Sequence, residues 1–384
     1  MSNTLTNLIP DVYSALDVVS RELTGLIPAV TRDPSSDRAA VGQTVRSIVA
    51  PTASATDITP AVTPPDDGDQ TIGNVSIQIT KARRVPFRWN GEQTLGVNNS
   101  GPGWSNIQRD QIAQAIRTLV NEMETDLAGL YVNASRSYGA GGTIPFGTAG
   151  DYTDASFARK IIVDNGGPQT DLQLVLNTGA GANLRGKQAD VNRAGTDALL
   201  RQGVLLDIHG FAVRESAQIK THTKGTGASA TTNTAGYAVG ATTITLASAG
   251  TGTIVAGDSI TFAGDSNQYV VVTGDADVSN GGTVVIAAPG LRQAIPASAT
   301  NITVTATGPR NMAFARSAIV LATRAPALPD GGDSAVDRTL ITDPVSGMTF
   351  ELAMYAQYRQ MQYELSAAWG VKTVKTEHLA LLAG

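Results

Sequence analysis

Apolar residues recur along this chain in blocks that switch between helical and strand spacing. Over residues 11–26, Val12, Leu16, Val19 and Leu23 share one stripe and Pro10 suits a first turn, which predicts an amphipathic helix whose apolar face needs a partner. Residues 31–36 break that pattern, and Pro51, Pro60, Pro64 and Pro65 keep residues 51–70 extended. Residues 44–49 and 74–80 are strand-like; in the second run Val75, Ile77 and Ile79 alternate with polar neighbours, and residues 81–89 continue as a basic extended arm. Together, residues 44–98 predict a long two-stranded excursion, too thin to stand alone. The strongest helical signal comes next, at 106–133, where Ile112, Ile116, Leu119, Val120, Met123, Leu127 and Leu130 form one continuous face. At 1.5 Å per residue that helix is roughly 40 Å long. Ser105 is its expected N-cap and the Gly-rich run 139–142 its stop. A helix of this length suits the core of an ordinary domain, or a scaffold spread across neighbouring subunits.

A second helix is expected near 155–163 and a buried strand at 172–176, followed by a mixed segment that ends at 203–214. Beyond Lys224 the pattern changes. Residues 225–309 carry only Asp258, Asp265, Asp275, Asp277 and Arg292 as charges, so burial there must rest on Val, Ile and Thr. Short runs at 242–246, 259–262, 269–273, 283–286 and 301–304, separated by Gly, Asp and Asn, predict a small barrel or sandwich. Mixed patterns resume on both sides, which makes this an inserted all-β domain. From Arg310 the chain returns to apolar segments, with a strand at 318–323 and further apolar positions over 348–361. Residues 363–382 read as a short helix or strand turning at Gly370 and finishing extended, since periodicity does not separate the two.

The 384 residues allow two or three domains. The chain has no Cys and only three His, which excludes a disulfide framework, a thiolate nucleophile and a cysteine zinc site. A net charge of -5 argues against tight nucleic-acid binding, which is built from clustered Lys and Arg. Asp11, Asp17, Arg21 and Glu22 interrupt the apolar N-terminal stretch, so no signal peptide or membrane span is expected. Gly181 to Lys187 has the G-x-x-x-x-G-K spacing of a phosphate loop, but Gln188 stands where the magnesium-binding hydroxyl belongs. Asp207 at the end of an apolar run imitates the acidic strand of such a site, and a surface strand, turn and helix is the plainer reading. His209, His222 and His378 lie in separate contexts, with no nucleophile elbow and no H-E-x-x-H pair. Asp66, Asp67 and Asp69 form an acidic loop that could attract a cation or simply be solvated. No catalytic, cofactor or metal residue is assigned. The remaining cluster, Lys81, Arg83, Arg84 and Arg88 with Phe87 and Trp89, could touch nucleic acid or pair with carboxylates of another subunit; in an acidic chain the second use is favoured.

The order of parts resembles the major capsid proteins of tailed bacteriophages, the HK-ninety-seven fold, and in its insertion the coat-protein type of phage P-twenty-two. The residues that carry the resemblance are Val-Ala-Gly-Asp-Ser-Ile-Thr-Phe-Ala-Gly at 255–264, the run from Asn311 to Pro329, Gly-Met-Thr-Phe-Glu-Leu at 347–352, and Trp-Gly-Val-Lys-Thr-Val-Lys-Thr-Glu-His-Leu at 369–379. The resemblance implies an α+β tailed-phage capsid fold: an N-terminal arm (1–43), an extended loop (44–104), a peripheral domain with the spine helix (105–150), an axial domain in two parts (151–224 and 310–362), the inserted β-barrel (225–309) and a C-terminal return to the peripheral domain (363–384). Ile112, Ile116, Leu119, Met123 and Leu127 would be the spine-helix core, and Lys81, Arg83, Arg84, Arg88 and Trp89 inter-subunit contacts. The implied function is a non-enzymatic major capsid protein that assembles in the host bacterial cytoplasm into pentamers and hexamers of an icosahedral virion shell. Such a shell encloses double-stranded DNA, with a scaffolding protein and a portal as partners and no membrane. The stretch before Thr242 is short and uncharged, so the capsomer-bridging loop of that type is not expected. An encapsulin-like compartment shell and a nucleotide hydrolase built on Lys187 are the alternatives.

Overall fold

The computed structural model describes residues 24–49, 55–63, 68–69, 73–100, 104–148, 151–187, 203, 205–343 and 346–384. The first strands are β1 (Thr31–Ala39), β2 (Thr44–Val49), β3 (Gly73–Gln78) and β4 (Lys81–Asn90), followed by helices α1 (Gly91–Ser100) and α2 (Trp104–Ala128). After a 3-10 turn at Gly129–Asn133 come β5 (Arg136–Tyr138), α3 (Thr153–Asp164), β6 (Leu172–Leu176), α4 (Thr178–Lys187), β7 (Phe211–Glu215) and β8 (Thr221–His222). The low-charge stretch contributes β9 (Thr243–Leu246), β10 (Ser259–Phe262), β11 (Gln268–Thr273), β12 (Gly282–Ile286) and β13 (Ile302–Val304). The chain closes with β14 (Gly308–Ala315), β15 (Ile319–Pro326), β16 (Ala335–Thr342), β17 (Thr349–Gln357), β18 (Gln360–Thr373) and β19 (Leu379–Ala383). Among the described residues no helix is long and apolar enough to cross a membrane.

Strand β18 organises the first sheet. One edge pairs with β17 and then β15, the other with β4 along its whole length, from Gln360 opposite Asn90 to Trp369 opposite Lys81. β1 extends the sheet by parallel pairing to β15, and β16 extends it beyond β17. Helix α2 packs against this sheet. Ile116, Leu119, Met123 and Leu127 are buried and Ile112 is partly buried, all in one core with Trp369, Leu365, Leu321 and the arm residues Leu26 and Ile27. Among the described side chains of α2, Arg109, Gln114 and Thr118 are the exposed ones.

The second sheet runs β13-β10-β11-β5-β19-β14-β6-β7. Its β6 is buried at every residue and pairs in parallel with β7, under α3 and α4; Leu172, Leu174, Leu176, Ile162, Leu184 and Phe211 form their own core. Strands β9 to β13 curl around a third core built on Ile244, Ile260, Phe262, Tyr269, Val271, Val284 and Ile286. The segment 230–233 closes that curl into a ring: Ala230 O accepts from Ile302 N at 2.8 Å beside β13, and Thr231 O accepts from Ala247 N at 2.9 Å beside β9. Because β11 also pairs with β5, the ring is stitched directly to the body. Arg136, almost fully buried, reinforces the seam with bonds to Asn267 Oδ1 at 2.7 Å and Asn165 Oδ1 at 3.2 Å.

Several expectations change. The helix over 11–26 lies outside the described residues except for its end, where Leu26 and Ile27 sit in a turn. Residues 31–36, expected to break the pattern, belong to β1; an edge strand tolerates Pro34 because one side of it has no ladder to complete. Helix α2 begins at Trp104, so Ser105 lies inside its first turn, and the helical path ends at Asn133 rather than at the glycines. Gly370 is not a turn: it lies mid-strand opposite Ala322, where a Cβ would stand 2.0 Å from Gln78 O. Its role is to let β3 cross closely over β18. The boundaries 310–362 and 363–384 cut across the sheets, since β15 to β18 share the α2 sheet while β19 lies between β5 and β14. Sequence order alone does not reveal which sheet a strand joins.

Candidate assembly surface

Residues 81–90 were expected in a thin arm and form a full strand of the α2 sheet instead. Lys81, Arg83 and Arg84 meet carboxylates of the same chain. Lys81 Nζ lies 2.8 Å from Asp126 Oδ1 and 3.1 Å from Glu122 Oε1. Burial lowers the Lys81 pKa, but hydrogen bonds and the charges of Asp126 and Glu122 outweigh it and leave the group raised above 10.5. Arg83 Nε also reaches Glu122 at 3.1 Å, and Arg84 bonds Glu364 at 2.6 Å, which raises the Arg84 guanidinium. Trp89 is buried, with Nε1 donating to Gln111 Oε1 at 2.7 Å, so its indole is part of the α2 contact rather than a surface anchor. Arg88 is half-buried on the same strand and Phe87 stacks on Tyr363 at 5.4 Å between ring centres. The spacing of the cations was legible; their partners, about 40 residues away on α2 and about 280 away on β18, were not.

The β2–β3 pair behaves differently. It forms a two-stranded sheet of its own, from Thr44 opposite Gln78 to Val49 opposite Gly73. Its base is packed: Ile77 and Ile79 are buried with Val320, Ala322 and Ala368. Beyond Val49, residues 55–63 are exposed throughout, and Ile58 at 99% and Val62 at 105% relative exposure touch almost nothing in their own chain. Two bulky aliphatics on a projecting segment are a surface that a partner can cover. A second opening, a groove of about 1000 Å³, lies between α1 and the β17–β18 turn, with Leu95, Tyr358 and Met361 on its walls.

The phosphate-loop candidate is overturned. Residues 181–187 are helical, within α4, so their N–H groups are committed to the helix ladder and do not line a cradle. Lys187 is buried and donates to the carbonyls of Thr148 and Asp151, with Phe146 and Tyr152 rings 5.8 and 5.5 Å away. Asp207 is exposed and outside any strand, and His209 bends the chain at a positive φ of 51°. Asp66 and Asp67 lie outside the described residues, and among the described residues no three His, Asp or Glu side chains gather to hold a metal.

The structure does assemble one polar trio that the spacing hid. His222 Nε2 lies 2.8 Å from Asp258 Oδ1, and His222 Nδ1 lies 2.9 Å from Tyr131 Oη. His222 and Asp258 are buried, and Asp258 also accepts from the amides of Gly225 and Val255. Among the described residues no Ser or Thr hydroxyl is bonded to this pair, and both side chains are buried. Its chemistry is that of a structural joint between the end of the α2 path, β8 and the ring.

No protein-family model matches the chain, and no curated protein does. Solved structures do. The chain is similar to one in the capsid of Cyanophage P-SCSP1u, at 12% identity and a TM-score of 0.52, over 100% of this chain and 96% of that one. It is also similar to a chain of Mycobacterium phage Che8, at 14% identity and a TM-score of 0.49 over 99% and 98% of the two chains. At these identities the likeness is one of fold, and the cyanophage match extends it over the whole chain.

Proposed function

We propose that this chain is a major capsid protein, which self-assembles into the icosahedral shell of a tailed phage and encloses double-stranded DNA. The observation that carries the proposal is the fold shared end to end with a solved phage capsid chain. In this reading α2 is the spine of a peripheral unit made with the first sheet, and α3, α4 and the β19-β14-β6-β7 strands form the axial unit. Residues 225–309 are an insertion into the axial unit, and β2–β3 with residues 55–63 is the extended loop. Ile58 and Val62 are uncovered in their own chain because a neighbouring copy covers them. Shells of many copies are held by distributed contacts of this kind, each weak and repeated by symmetry.

The acidic balance supports the role of container, since a net charge of -5 leaves packaged DNA free to slide. Arg83 and Arg84, more than half exposed, are the cations on β4 that another copy can still reach. Pentamers and hexamers of the chain, a scaffolding protein and a portal complete the assembly, which takes place in the bacterial cytoplasm and ends in the virion. The protein's role is structural rather than catalytic. Expression in bacteria with and without a candidate scaffold, followed by electron microscopy, tests the proposal: shells or curved sheets are expected, and persistent monomers under both conditions would refute it. Shells that hold a protein cargo and exclude DNA would point to a compartment instead.

A further inference from the structure

The side chain of Glu124 is fully buried on α2, on the face that looks toward the arm and away from Lys81. Its two oxygens accept from Ile27 N at 2.7 Å and Leu26 N at 3.1 Å, the Gly25 amide faces the same carboxylate, and Ser216 Oγ donates at 2.8 Å. Leu26 and Ile27 are themselves fully buried in the α2 core. Gly25 fits only as glycine, because a Cβ would stand 2.3 Å from Glu215 O. One carboxylate therefore joins three parts of the chain: the turn before β1, the long helix, and the segment that follows β7.

Among the described residues the contact is held by amides and a hydroxyl, not by a cation. On its own helix, Glu122 and Asp126 are turned to Lys81; on the Ser216 segment, Glu215 is ion-paired with Arg185; the turn at 25–27 carries no ionisable side chain. A carboxylate buried under these conditions loses hydration that hydrogen bonds only partly replace. Opening the turn would return it to water.

We propose that Glu124 is a latch: it fastens the turn at residues 25–27 onto α2, and holds that turn closed more tightly at acid than at alkaline pH. Burial raises the Glu124 pKa above its ordinary 4.5, against the lowering effect of the amide and hydroxyl bonds. The closed state thus binds the proton more strongly than the open, solvated one. The stabilisation from that proton is complete below the open-state value and is lost as pH rises through the raised one. The latch stands independently of the shell-forming role.

Hydrogen exchange on the unassembled chain tests it, with intrinsic rates corrected, from about pH 4 to about pH 8. Protection at the Leu26 and Ile27 amides is expected to fall with rising pH in the wild type, and Glu124→Gln should flatten that profile. Glu124→Ala should lower protection roughly ten- to hundredfold, the range for stranding buried donors. Ser216→Ala removes a bond that favours the ionised form, so its profile should shift to higher pH; it serves where Glu124 variants fail to fold. A flat wild-type profile, or a Ser216→Ala profile that coincides with the wild type, would overturn the latch. Electron microscopy of the same preparations scores shell formation separately, so either proposal can fail without the other.

Discussion

Strand β4 and the β2–β3 ribbon lie side by side in the sequence and share the same extended pattern, yet the fold uses them in opposite ways. β4 is zipped to β18 over ten consecutive residue pairs, and Lys81, Arg83, Arg84 and its indole are taken up by α2 and β18. The β2–β3 ribbon pairs only with itself, packs at its base and leaves Ile58 and Val62 in water. Alternation specifies that a segment is extended and which faces differ. It does not specify the strand that supplies the other half of the ladder, and that partner decides whether a basic extended run becomes interior framework or outward reach.

The contrast can be broken most severely at Trp369, which is fully buried, lies opposite Lys81 and donates to Asp126 Oδ2 at 2.9 Å. Trp369→Ala should cost about 3–5 kcal/mol, read by denaturant unfolding, because it empties the space between α2, β4 and β18. Asp126→Ala strands the Trp369 indole N–H and removes one partner of Lys81, and should cost about 1–3 kcal/mol in the same assay. Lys81→Met should cost less, about 0.5–1 kcal/mol, because the lysine is a third exposed and its pairing is screened by solvent and salt. The sign of its pH dependence is fixed. A folded-state pKa above 10.5 gives stabilisation that is complete at neutral pH and is lost as pH rises past that value, so this alkaline loss should shrink in Lys81→Met. At the other pole, Ile58→Asp with Val62→Asp should change the stability of the unassembled chain by less than about 0.5 kcal/mol. The same pair should abolish shells by electron microscopy. A large stability loss there would show that the ribbon is packed in its own chain and would end the comparison.

The spine helix was legible because seven apolar residues at helical spacing leave one packing face, and Ile116, Leu119, Met123 and Leu127 occupy it. The ring strands were legible for a similar reason: glycine-punctuated Val, Ile and Thr runs with almost no charge have few alternatives. The partners of Trp89 and Lys81 were not legible, because an aromatic or a cation on a strand looks the same in sequence whether it meets Gln111 and Asp126 of the same chain or groups elsewhere. Lys187 was a spacing coincidence, which the helical geometry of α4 exposes. Glu124 and the His222–Asp258 pair gave no signal, since 97 residues separate Glu124 from Ile27 and 36 separate the His from the Asp.

By itself, the sequence determined the local periodicities: where the chain is helical, where it is extended, which positions are apolar, and that catalytic side chains are scarce. These depend on residues within a few positions of one another. Tertiary structure alone decided the pairing of β4 with β18, the closure of the ring by residues 230–233, the sheet to which β19 belongs, and the burial of Glu124 against the arm. Those features depend on which segments meet, and a one-dimensional pattern carries no record of contacts between residues far apart in the chain.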